Sequence, residues 1–361
     1  MLKILFVITG LGMGGAEHVV TNLADNLVAR GHLVKIAYLT GDALVLPENP
    51  DVEIISLHLK SPKNTLEAYF KLRALVNQFK PDVLHSHMFH ANILSRLLRL
   101  SITLPKLICT AHSNNEGGKL RMFTYRITDS LADMSTNVSQ EAVDEFITKK
   151  AVKTGRMLPI VNGINTNRFV FNSDVRQGLR NQLRLQDKKM ILAVGRLDTP
   201  KDYPNLLNAV ALLAKKRQDF KVFITGDGPL KEELLSLMDS LNVSEFVEFL
   251  GVRRDVASLM SATDLFVLSS AWEGFGLVVA EAMACERVVV ATDCGGVAEV
   301  LGSNGFLVQP QDSALLAETL NNTLKLSDDE CNKIGSAARQ RIIEHFSLDA
   351  NVDAYFKLYE S

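Results

Sequence analysis

The chain has 361 residues, a length that suits two domains of roughly 150 to 200 residues each. Hydrophobic residues make up 47% and charged residues 22%, which excludes disorder, collagen-like repeats and coiled coil. A formal net charge of −2 argues against a dedicated nucleic-acid binder, and no apolar run approaches the ~20 residues of a membrane span.

The charge is unevenly spread. Residues 1–167 hold 18 Lys and Arg against 14 Asp and Glu, whereas residues 168–361 hold 21 against 27. Either the first half meets something anionic, such as a phospholipid surface, or the difference reflects solvated faces. Cys109, Cys285, Cys294 and Cys331 form no CxxC or other ligand pair, so zinc is not expected. The opening MLKILFVITGLGMGG has one early Lys and a short apolar run that ends in glycines, without a small-residue cleavage site. It reads as a first strand, and the chain as one of a reducing cytoplasm.

Short Val-, Ile- and Leu-rich runs predict buried parallel strands. In the first half these are Lys3–Ile8, Leu33–Leu39, Val52–Leu57, Val83–His85, Lys106–Thr110 and Met157–Val161. Helices are predicted between them at Ala16–Arg30, Thr65–Phe79, Asn92–Leu100 and Gln140–Ile147. A polar stretch between Asn162 and Lys188 has little periodicity and reads as the break. The pattern then restarts with strands at Met190–Gly195, Lys221–Thr225, Val247–Phe249, Leu265–Leu268, Val288–Ala291 and Gly305–Val308. Helices are predicted at Pro204–Lys216, Leu230–Leu241, Val256–Met260, Leu277–Ala284 and Ser313–Leu324, and the tail from Ser327 reads as two more. Two strand–helix series predict two doubly wound α/β sheets. Ligands of such sheets lie beyond the carboxyl ends of the strands, so the expected site is a cleft between the domains.

The motifs fall at those ends. Thr9–Glu17 is glycine-rich and opens a helix, where free N–H groups suit a phosphate. It is a loose match to the dinucleotide fingerprint, without a clear acidic ribose binder after the second strand. Arg196 and Lys201, separated by a turn with Pro200, suit a diphosphate, although Arg196 could instead pair with Asp198 at the surface. Ser270–Ala282 places Glu273 in a loop, the amides of Phe275, Gly276 and Leu277 at a helix start, and Glu281 within the helix. A carboxylate among Val278, Val279, Ala280 and Ala282 needs donors, which ribose hydroxyls, a neighbouring backbone group or an Arg could supply. His85, His87, His90 and His112 cluster near two strand ends. They form a weak metal set, and His112 could instead hydrogen-bond a polar substrate. Gly226–Pro229 and Gly251–Asp255 are further turns after strands.

Together these segments resemble the retaining family 4 glycosyltransferases with the two-domain GT-B fold. The resemblance rests on Gly14–Glu17, Asn162–Asn165, Gly195-Arg196 with Lys201, Gly226–Pro229, Glu273-x7-Glu281, and Gly295-Gly296 with Glu299. It implies an acceptor domain at 1–167, a nucleotide-sugar domain at 168–346, and a final helix, 347–361, crossing back onto the first domain. It implies that Arg196 and Lys201 hold the donor diphosphate and that Glu281 accepts the ribose hydroxyls. Glu273 and the Phe275, Gly276 and Leu277 amides would hold the donor sugar and distal phosphate. Gly14 and Gly15 would reach the donor, Gly226 would line its site, Val252 would line the base pocket, and His112 would face the reacting sugar. One departure is Glu286-Arg287-Val288, where relatives usually carry a Gly-x-Pro turn.

The implied activity is transfer of a hexosyl unit from a nucleotide-diphosphate sugar, by default a UDP-sugar, with retention. The acceptor would be a glycan or lipid-linked saccharide of surface polysaccharide or lipopolysaccharide synthesis. No metal or other cofactor is expected, since the cations and amides can stabilise the leaving group and no Asp-x-Asp motif occurs. A UDP-sugar 2-epimerase-like enzyme and a non-catalytic nucleotide-sugar-binding subunit are the alternatives. Polar loops such as His112–Arg121 would face the acceptor. Leu94–Leu100 and Lys119–Arg126 mix basic and apolar residues, which suits peripheral contact with an anionic membrane at its cytoplasmic face.

Overall fold

The computed structural model describes residues 1–59, 61–113 and 116–361. Asn114 and Asn115, within the loop expected to face an acceptor, lie outside the described residues. The chain divides into two compact units. One is Met1–Gly163 with Leu348–Ser361, and the other is Ile164–Ser347. The expected boundary at 167 thus lies four residues beyond the division at Gly163.

In the first unit, strands β1 (Lys3–Gly10), β2 (Leu33–Thr40), β3 (Glu53–Ser56), β4 (Val83–His87), β5 (Leu107–Thr110), β6 (Met134–Asn137) and β7 (Met157–Pro159) form a parallel sheet. Their order is β3-β2-β1-β4-β5-β6-β7. Helices α1 (Gly15–Ala29), α2 (Thr65–Phe79), α3 (Phe89–Leu98), α4 (Lys119–Thr128) and α5 (Gln140–Thr148) connect them. Alternation along β1 serves both faces. Ile4, Phe6 and Ile8 share a core with Val20 and Leu23 of α1, while Leu5 and Val7 pack with Leu72 of α2 and Leu94 of α3.

The second unit repeats the plan. It contains β8 (Lys189–Val194), β9 (Phe220–Thr225), β10 (Val247–Gly251), β11 (Leu265–Leu268), β12 (Val288–Thr292) and β13 (Phe306–Val308). Their order is β10-β9-β8-β11-β12-β13, again all parallel. Its helices are α6 (Ser173–Gln182), α7 (Tyr203–Ala214), α8 (Lys231–Ser240), α9 (Val256–Ala262), α10 (Leu277–Ala284), α11 (Val297–Leu301), α12 (Ser313–Thr323) and α13 (Asp328–His345). The last helix, α14 (Leu348–Glu360), belongs to the first unit, where Val352 and Tyr355 join the core of Ile4 and Val20.

Three of the departures from the sequence expectation have a clear physical cause. Strand β6 was not expected, because Ser135, Thr136 and Asn137 are polar, yet all three are buried. Arg96 donates to Ser135 Oγ at 2.9 Å, and Thr136 and Thr110 share a hydrogen bond of 2.6 Å. The polar stretch before Lys188 contains α6. Arg176 and Arg180 anchor this helix to Asp264 of the same unit. The third correction concerns α3. Arg96 is wholly buried and also donates to Thr128 Oγ1 and the Tyr125 carbonyl, and Arg99 is tied to Asp133 and two carbonyls. Neither is a free surface cation, so the Leu94–Leu100 segment offers no basic face. Both arginines are drawn inward by unpaired carbonyls and hydroxyls at the ends of their neighbours.

Candidate active site

Strand order reverses at β8 in the second sheet, with β9 on one side and β11 on the other. Such a switch point leaves a crevice at the carboxyl ends of the two diverging strands. The loop after β8 carries Arg196 and Lys201, and the loop after β11 carries Ser270 and Glu273. A small pocket lies here, lined by Val194, Lys201, Tyr203, Leu268, Ser269 and Ser270 among others.

Lys201 Nζ pairs with Glu273 Oε1, and both side chains are largely buried. Ser270 Oγ donates to the same oxygen at 2.7 Å. The lysine is placed by a 3-10 turn at Thr199–Lys201, where Pro200 suits the first turn. The lysine's own carbonyl accepts from Ser269 Oγ at 2.9 Å, and the Ala271 N–H donates to the Pro200 carbonyl at 2.9 Å. The β8 and β11 loops are therefore laced together by backbone as well as by the ion pair.

Arg196 stands apart. Its side chain is 65% exposed and, among the described residues, pairs only with Asp198, at 3.7 Å. Such a loose exposed pair is worth little, so the guanidinium can leave it at small cost. Burial pushes the Asp198 carboxyl above its usual range, against the pull of Arg196 and Lys201. Tyr203, buried, donates to the Gly195 carbonyl at 3.1 Å and so fixes the loop between these cations, and burial raises its phenol.

Glycines let these loops touch. A Cβ on Gly226 would lie 1.9 Å from the Gly195 carbonyl oxygen. One on Gly295, at φ +56°, would lie 2.0 Å from that of Glu273. Both positions exclude any side chain. Gly276 caps α10 at φ +85°. Phe275 buries its ring against Phe346, 5.7 Å between centroids. The amides of Phe275, Gly276 and Leu277 have no acceptor among the described residues. They are the free donors of a helix start.

Glu281 lies one turn into α10 and is half-buried. Its carboxylate makes no hydrogen bond among the described residues. Burial pushes it up to about 8, with Arg168 pulling it down. Among the described residues, neither a backbone donor nor a bonded Arg satisfies it. Val252, after β10, is 54% exposed. The structure therefore brings together Lys201, Glu273 and Gly195–Gly226, places Glu281 and the amides on one helix, and leaves Arg196 and Val252 open at the rim.

In the first unit, sheet order reverses at β1, flanked by β2 and β4. Gly14 caps α1 in extended conformation, and Glu17 folds back so that a Cβ on Gly14 would meet its Oε2 at 2.5 Å. Met88, at the end of β4, has φ +71°, a strained value for a side chain of its size. No sequence signal marked it. Beyond β5, His112 Nε2 meets His87 Nδ1 at 3.0 Å, and its backbone N–H donates to Glu116 Oε1 at 3.1 Å. His85 is wholly buried between Tyr359 and Thr110 hydroxyls, at 2.7 and 2.6 Å. Burial lowers all of these imidazoles, His112 to about 4, so they are neutral near pH 7. Among the described residues, no three His, Cys, Asp or Glu side chains are grouped as metal ligands.

Two Rossmann-like sheets, with motifs at the switch points, define the GT-B class of glycosyltransferase. A family model for "Glycosyltransferase Family 4" matches residues 13–168, and one for "Glycosyl transferases group 1" matches 175–341. The chain belongs to the family 4 glycosyltransferases of the GT-B fold. It is 26% identical to N-acetyl-alpha-D-glucosaminyl L-malate synthase of Bacillus anthracis, over 96% of this chain and 94% of that protein. It is 28% identical to a Campylobacter jejuni N-acetylgalactosamine-N,N'-diacetylbacillosaminyl-diphospho-undecaprenol 4-alpha-N-acetylgalactosaminyltransferase, over 92% of each. Its fold matches the crystal structure of Anabaena HepE in complex with UDP and glucose, with a TM-score of 0.86 over 100% of both chains at 22% identity.

Proposed function

We propose that this glycosyltransferase moves a hexosyl unit from a UDP-sugar to a glycan or lipid-linked saccharide, with retention, in surface polysaccharide or lipopolysaccharide synthesis. The observation that carries the reading is the Lys201–Glu273 pair at the β8–β11 switch point, beside free amides and an unbonded carboxyl on α10. UDP stands in the name of the HepE structure, and a diphospho-undecaprenol acceptor in that of the Campylobacter relative.

Breaking a sugar–phosphate bond puts negative charge on the nucleoside diphosphate and positive charge on the sugar. Arg196 and Lys201 take the diphosphate, with the Phe275, Gly276 and Leu277 amides on its distal phosphate. These fixed donors stabilise the leaving group without calling on a metal. Glu281 accepts the ribose hydroxyls. Val252 lines the base pocket, and Gly226 keeps the β9 turn tight against Gly195. Glu273 accepts from the sugar, Gly14 and Gly15 offer backbone to the donor, and neutral His112 faces the reacting sugar. No side chain is placed as a covalent nucleophile in this scheme, so the acceptor attacks on the face the diphosphate leaves.

We further propose peripheral binding to an anionic membrane at the cytoplasmic face. Leu120, Phe123 and Ile127 stand exposed on one stripe of α4, with Lys119 and Arg126 beside them. No helix among the described residues is long and apolar enough to cross a membrane.

The test is product analysis with UDP-, GDP- and ADP-sugars and lipid-linked saccharide acceptors. Diphosphate release that requires acceptor, with an α-linked product from an α-donor, supports the reading. Rearranged or free sugar without acceptor would move the chain to the epimerase class. Binding without turnover would make it a nucleotide-sugar-binding subunit.

A further inference from the structure

Glu273 is gripped on one oxygen. Oε1 takes both Lys201 Nζ and Ser270 Oγ, while Oε2 has no partner among the described residues. A carboxylate is acceptor-only, so the serine hydroxyl must be the donor. Ser270 is wholly buried. Its carbonyl accepts from Thr292 Oγ1 at 2.6 Å and from Cys294 Sγ at 3.4 Å. The hydroxyl is therefore aimed from a pinned backbone.

The two grips differ in charge. A diphosphate competes with Glu273 for the Lys201 ammonium, because both are anions seeking the same cation. It does not compete for a buried neutral hydroxyl committed to Glu273. We propose that Ser270 is a positioning residue for the donor sugar: it holds Glu273 Oε1 when Lys201 turns to the diphosphate, leaving Oε2 to accept from a hexosyl hydroxyl. This inference rests on the nucleotide-sugar reading of the site and adds the residue that separates recognition of the sugar from recognition of the nucleotide.

The experiment compares dissociation constants by calorimetry for UDP and for UDP-glucose, UDP-N-acetylglucosamine and UDP-N-acetylgalactosamine, using GDP or ADP and their sugars if those bind better. Ser270→Ala should leave the diphosphate constant unchanged, which also reports an intact fold. It should weaken the best nucleotide sugar about tenfold, the scale of one hydrogen bond to a charged group. Ser270→Cys, with a weaker donor of similar size, should fall between. On a Glu273→Ala background, Ser270→Ala should add nothing. Equal weakening of diphosphate and sugar nucleotide, no weakening, or full additivity would each overturn the role of Ser270. A wild type that binds its diphosphate but gains nothing from any sugar would overturn it too. A wild type that binds no nucleotide at all would overturn the reading of the site itself, and this inference with it.

Discussion

Glu281 offers a test that needs no acceptor. Burial holds its carboxyl at about 8, and Arg168 is its opposing influence. At pH 7 such a group is about nine-tenths protonated. Ribose hydroxyls donating to it favour the ionised form. Binding of UDP at pH 7 should therefore expel up to ~0.9 proton from this residue. Titration calorimetry in buffers of different ionisation enthalpy counts that proton. The terminal phosphate of UDP titrates near ~6 and contributes to every measurement. Glu281→Gln carries the same phosphate contribution, so the difference between the two proteins isolates the carboxyl. Stability gives an independent reading. The folded value lies above the ordinary 4.5. Below that value the group is neutral in both states and contributes nothing. From there to about 8 the unfolded chain ionises while the folded one does not, so rising pH destabilises the fold. The full shift corresponds to on the order of 4 to 5 kcal/mol, and partial exposure reduces this to about 2. Glu281→Gln should thus match the wild type near pH 4 and exceed it by about 2 kcal/mol near pH 9. Equal proton counts and parallel stability profiles would refute the reasoning.

Gly295→Ala should cost at least ~2 kcal/mol in urea unfolding and weaken sugar-nucleotide binding, since the new methyl meets the Glu273 carbonyl. A loss below ~0.5 kcal/mol would show that the loop yields. Arg96→Leu should cost about 3 kcal/mol, because Thr128, Ser135 and the Tyr125 carbonyl lose their buried donor. Chemical denaturation checks it, with Lys119→Leu as the surface control. His112 is held neutral, so His112→Asn should lower the rate without changing the shape of the pH profile between about pH 6 and 9. A lost inflection in that range would mean that His112 titrates there. Phe123→Glu on α4 should abolish flotation with phosphatidylglycerol vesicles at low salt while leaving UDP binding intact.

Much of the fold was legible because apolar runs in a parallel sheet are nearly uninterrupted. The bounds expected for Leu265–Leu268 and Leu277–Ala284 coincide with β11 and α10, where every strand residue is apolar and Gly276 marks the helix start. Legibility failed where burial is polar. In β6 three of four residues are polar, and their place inside depends on Arg96 and Thr110 from other elements, which no local window contains. Strand β4 outran its expected end at His85 for the same reason, as Ser86 and His87 are buried and hydrogen-bond to Asn92 and His112. Helix α6 was hidden because Leu179 is its one buried residue, and its anchor is the Asp264 carboxylate.

The same division runs through the site. Cations, carboxylates and helix starts at strand ends can be read from spacing, since each residue type carries its chemistry with it. Ser270 cannot, because its importance lies in a hydroxyl aimed at Glu273 from an irregular loop. Glycines carry a further ambiguity, since ligand approach and loop-on-loop contact leave the same mark in a sequence. Gly226, Gly228 and Gly295 are required by the second cause: each backbone lies against the carbonyl of another rim loop. The departure at Glu286 follows from the same physics. That residue adopts φ +61°, the left-handed value a glycine would favour, while its carbonyl lies 2.2 Å from where a Cβ on Gly335 of α13 would sit. Contact between this turn and α13 is kept by a glycine on the helix, and Arg339 binds the Ala284 carbonyl and faces Glu286 at 3.9 Å. The turn into β12 thus holds its shape with a strained glutamate, because the space that must stay empty lies on the opposite element.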